Sequence, residues 1–117
     1  MSYDLSGFGH AEGEAVTGNK TLAITDQGHV QNVTASAVIT LPATVVGYSF
    51  TVRVGAPGIT VEVAPNASDL IAGIGETAAD DTSVIFTNQP AGSMLTLVGN
   101  GTTGWNVVAI RGTHSYA

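Results

Sequence analysis

Cysteine is absent from this 117-residue chain, so disulfides, thiolate nucleophiles and cysteine-bound metals are all excluded, and stability falls to packing and subunit contacts. Basic residues are almost as scarce. Lys20, Arg53 and Arg111 stand against nine acids, and the resulting net charge of −6 makes nucleic acid and anionic membrane poor partners. Only 10% of the residues are charged while 44% are hydrophobic. The surface is therefore expected to be dressed with Thr, Ser, Asn and Gly, and to be covered in part by other subunits or a partner. Long apolar runs are missing, so no membrane-spanning segment is expected. Met1 to Val16 has neither the basic start nor the apolar core of a signal peptide, which fits synthesis in a cytoplasm.

What is present divides the chain in two. Residues 1–18 hold four glycines and isolated apolar side chains without a period of 2 or 3.6, and are expected to form a flexible N-terminal arm. Residues 19–117 carry short β-branched runs separated by Gly, Pro, Asn and Asp clusters. That spacing predicts an all-β, single-domain antiparallel β-sandwich, jelly-roll-like, of about eight strands. The expected strands are "KTLAIT", "HVQNVT", "AVITL", "YSFTVRV", "ITVEVA", "SVIFT", "SMLTLV" and "GWNVVAIR". "YSFTVRV" and "ITVEVA" are expected to fold as a hairpin about Gly55 to Gly58, with Val54 opposite Ile59 and Arg53 diagonal to Glu62. Residues 66–82 are expected to be the longest loop, with Leu70, Ile71 and Ile74 plugging the core and Asp69, Glu76, Asp80 and Asp81 in solvent.

Chemistry-bearing motifs are few. Gly99, Gly101 and Gly104 spell G-x-G-x-x-G, but a dinucleotide fingerprint needs a following helix, and "WNVVAI" is a strand sequence. "NGTTG" is expected to be a turn between antiparallel strands, and no cofactor is expected. His10, His29 and His114 are the only candidates for proton transfer near neutrality, and none has a metal-ligand neighbour in sequence. "AADDTS" lacks the alternating ligands of a calcium loop. No catalytic constellation emerges, and an enzyme is not expected. Trp105, beside Asn106, is a candidate for core or subunit packing, with its indole N–H on a carbonyl when buried, or alternatively for stacking on a sugar ring. In the arm, Tyr3, Leu5 and Phe8 have the pattern of anchors that order on a partner.

The order of signals resembles a group of small bacteriophage virion proteins. The likeness is carried by "TLAITDQGHVQNVTASAVITLPA", "VGYSFTVRV", "ITVEVAPNASDLIAGIG" and "SMLTLVGNGTTGWNVVAIRGT", from Lys20 to Thr113. The resemblance implies a capsid decoration, or cement, protein: a homotrimer on the outer face of the virion head that bridges neighbouring major capsid protein subunits. The arm lies outside the matched stretch, but a mechanism consistent with this role orders it on the capsid, with Tyr3, Asp4, Leu5, Phe8, His10, Glu12 and Glu14 as the expected contacts. Related modules occur in tail fibres and tailspikes, so the rival expectation is a module that binds host carbohydrate.

Overall fold

The structure, a computed structural model, describes residues 12–72, 79–80 and 83–116. The chain is all-β in these parts. Twelve strands are described: β1 Glu12–Val16, β2 Lys20–Thr21, β3 His29–Val33, β4 Ala37–Thr40, β5 Ser49–Val54, β6 Thr60–Ala64, β7 Leu70–Ala72, β8 Ala79–Asp80, β9 Val84–Thr87, β10 Met94–Gly99, β11 Gly104–Arg111 and β12 Ser115–Tyr116. A 3-10 turn, Ile24–Asp26, lies between β2 and β3.

Two sheets share one core. The larger runs β1-β3-β5-β10-β11-β7-β8 and the smaller β12-β9-β6-β4-β2. From β1 to β6 the chain alternates between them, so β1, β3 and β5 stack in parallel in one sheet and β2, β4 and β6 in the other. After β7, which lies parallel to β11, the chain returns antiparallel: β9 on β6, β10 on β5, β11 on β10 and β12 on β9. Period-2 alternation builds the core from both sheets. Phe50, Val52, Val54, Leu95, Leu97 and Trp105 point inward from the larger sheet, and Ile39, Val61, Val63, Val84 and Phe86 from the smaller.

Four expectations need correction. The sheets are mixed rather than antiparallel, because the connections after β1 to β5 cross to the other sheet instead of turning back within one. The β5–β6 hairpin is the clearest case: β5 pairs with β3 and β10, and β6 with β4 and β9. The "GAPG" stretch arches across the core, so Val54 faces it from the larger sheet and Val61 from the smaller. Arg53 consequently donates to Asn32 Oδ1 at 2.6 Å, not to Glu62. Residues 12–16, placed in the arm by sequence, form the edge strand β1 in register with β3 from Glu12↔His29 to Val16↔Val33. The long loop contains β7 and β8, and Ile71 is fully buried as β7 joins the edge of β11. Ile74, Glu76 and Asp81 lie outside the described residues.

Candidate functional site

Among the described residues, a cluster of charged and amide side chains lies between the sheets at the edge formed by β1 and β2. Parallel register places Glu14 beside Gln31 on the inward side of the larger sheet, and Lys20 beside Ile39 on that of the smaller. Lys20 Nζ donates to Gln31 Oε1 at 2.8 Å, and to Glu14 Oε1 and Asp26 Oδ1 at 3.2 Å each. Gln31 Nε2 donates to Glu14 Oε1 at 2.8 Å, and the Ala23 N–H closes the cluster onto Asp26 Oδ2 at 2.8 Å. His29 Nδ1 sits 3.7 Å from Glu14 Oε2, too far for a hydrogen bond. Gln31 is fully buried and Asp26 nearly so.

The electrostatics favour keeping both charges. Burial, the largest influence on each, acts against ionisation. It is outweighed at Lys20 by hydrogen bonds and attraction to Glu14 and Asp26, which raise the ammonium above the ordinary 10.5. At Asp26 it is outweighed by the Ala23 N–H and by Lys20, which hold the carboxyl below the ordinary 3.8. The cluster is thus a latch that ties β1 to β2, β3 and the 3-10 turn. An apolar pair could fill this edge, but a polar group here stays buried only when its partners are complete.

Of the arm residues expected to contact a partner, Tyr3, Asp4, Leu5, Phe8 and His10 lie outside the described residues. Glu12 begins β1. Glu14 is half-buried and bonded within the chain to Lys20 and Gln31, so its carboxylate is already engaged. Sequence reading missed Lys20, Asp26 and Gln31. The only available signal was a lysine and a glutamine at inward positions of otherwise apolar strands, and assigning those positions required the parallel register.

Trp105 takes the core position that was one of its expected alternatives. It is 1% exposed, its ring centroid 5.5 Å from that of Phe50, so it offers no platform for a sugar and no surface for a subunit. Trp105 faces inward because it shares its side of β11 with Val107. Its buried indole N–H has no acceptor among the described residues, so the expected bond to a carbonyl is not formed there. Asn106, the next residue, is exposed on the outer side of the larger sheet.

The glycine motif is a turn. Asn100 Oδ1 accepts from the N–H groups of Thr102, Thr103 and Gly104 at 2.9, 2.9 and 3.0 Å, and β10 and β11 leave it antiparallel. The donors that would cradle a phosphate are thereby occupied. His114 packs edge-on to Tyr116 and tilted to Phe86, beside a shallow pocket of about 190 Å³ lined by Ile85, Thr87, Gln89, Thr113 and Ser115. Among the described residues, no group of three or more His, Asp or Glu side chains is placed to hold a metal ion. Compared with known proteins, the chain matches no family model, no curated protein and no solved structure.

Proposed function

We propose that this protein is a bacteriophage capsid decoration protein: a trimer of two-layered β-sandwiches, made in the bacterial host cytoplasm, that binds the outer surface of the head, bridges major capsid protein subunits and stabilises the shell. The observation that supports the reading is the latched root of the N-terminal segment. Residues 1–11 attach to an edge strand held by backbone register and by the Glu14–Lys20–Gln31 cluster. A segment of that length reaches at most about 36–40 Å when extended. A rigid anchor point matters because a tether transmits force to the shell only if its root does not peel away.

In this mechanism Tyr3, Leu5 and Phe8 enter apolar depressions of the shell while Asp4 and Glu12 meet basic groups there. Glu14 contributes indirectly, by fixing β1. Three such segments on one trimer turn weak contacts into durable binding through effective concentration. Removal of residues 1–11 tests the reading. The truncated chain should keep its fold and oligomer but lose binding to shells that lack it. Saturation of those shells by the truncated protein would refute the arm mechanism.

A further inference from the structure

The outward side chains of the larger sheet form rows across its strands. Register aligns Asn32, Arg53, Met94 and Arg111 in one row, and Val30, Thr51, Thr96 and Ala109 in the next. Arg53 and Arg111 are two of the three cations in the chain, and the third, Lys20, is held between the sheets by Glu14 and Asp26. Glu14, Asp26, Glu62 and Asp69 all lie outside these rows.

A bulge creates the arrangement. Leu97 is opposite Val107 but Thr96 is opposite Ala109, so Val108 is the extra residue, 53% exposed. Trp105 and Val107 face the core before the bulge, and Ile110 packs against it afterwards. Under unbroken alternation Arg111 would share the inward side with Val107. The inserted residue re-aims it outward, into line with Arg53 two strands away.

These two rows, which carry Met and Arg among Val and Thr without Lys, Asp or Glu, have the composition of a protein contact. We propose that this face docks a second copy of the chain, with the Arg53–Arg111 row meeting carboxylates of its neighbour. Charge complementarity identifies the occupant. Subtracting the two arginine charges from the net −6 leaves −8 for the rest of the chain, so each copy carries a surplus of carboxylates for the arginines of the next. Face-to-face pairing would set arginine against arginine. The contact therefore joins two different surfaces, and a heterologous contact of this kind gives a ring when its rotation closes and a filament when it does not. The ring size, three, rests on the decoration reading; the face does not.

Sedimentation velocity of the full chain tests this. The wild type, and a Thr60→Glu control on the smaller sheet, should sediment as trimers. Arg53→Glu/Arg111→Glu and, separately, Val98→Glu, which changes another outward position, should sediment as monomers with unchanged circular dichroism. Arg53→Lys/Arg111→Lys should retain weakened association. A monomeric wild type, or full assembly of both on-face glutamate variants, would overturn the proposal. Shell binding is scored separately: an arginine-dependent ring that never occurs on shells sinks the decoration reading and leaves this face standing.

Discussion

The Lys20 ammonium donates to the Gln31 carboxamide oxygen at 2.8 Å across the gap between the two sheets, joining β2 of the smaller sheet to β3 of the larger. Gln31 also donates to Glu14 on β1, so one buried side chain holds both edge strands. Replacing it with leucine keeps the volume but removes a partner from Lys20 and another from Glu14. Gln31→Leu is expected to cost about 1–3 kcal/mol in denaturant unfolding and to speed amide exchange across 12–16 before other strands respond. Unchanged stability together with unchanged exchange in β1 would contradict the latch.

The same cluster sets a pH dependence. Asp26 is depressed in the folded chain, so its contribution is complete above the ordinary 3.8 and disappears as pH falls through the lower folded value. Lys20 is raised, so its contribution is complete below 10.5 and disappears as pH rises through the higher folded value. The Tm difference between wild type and Asp26→Asn should therefore be constant across neutral pH and shrink in acid below 3.8. A difference that persists at the acid limit of folding would show that the Asp26 charge is not what the variant removed.

Much of the architecture was legible where local rules sufficed. All eight strand sequences read from alternation contain a strand, and Asn100 with its glycines forms the turn that "NGTTG" indicated. Partner choice was not legible. "GAPG" has turn residues whether it reverses within a sheet or arches between sheets, and the difference lies in the distant strands that pair instead, β3 and β10 with β5 and β4 and β9 with β6. Residues 12–16 read as arm because β1 alternates Gly13 and Ala15 with Glu14 and Val16, and Glu14 signals an inward position only once Lys20 and Gln31 are known to meet it.

The turn makes a sharper test of backbone geometry. Gly101 and Gly104 both have positive φ, +77° and +150°; a Cβ on Gly101 would press on Val46 at 3.0 Å, whereas one on Gly104 would run into the Leu70 backbone, where β7 approaches β11. Gly101→Ala is expected to cost about 1–2 kcal/mol. Gly104→Ala should cost more than Gly101→Ala and lower the protection of the β7 amides. Equal unfolding midpoints for the two variants would contradict the close approach.

Trp105 separates size from hydrogen bonding. Its buried indole N–H has no acceptor among the described residues, so Trp105→Phe loses packing but no bond. Trp105→Ala is expected to cost about 3–5 kcal/mol, and Trp105→Phe clearly less. Tryptophan fluorescence of the wild type should be blue-shifted and insensitive to added saccharides. Quenching or a shift on saccharide addition would restore a ligand role to this side chain.

The central claim is that the protein coats a phage head, and stoichiometry tests it most directly. Quantifying this chain against the major capsid protein in purified virions should give many copies in a fixed ratio set by the shell lattice. A few copies per particle, unrelated to that lattice, would place it on the tail and contradict the account.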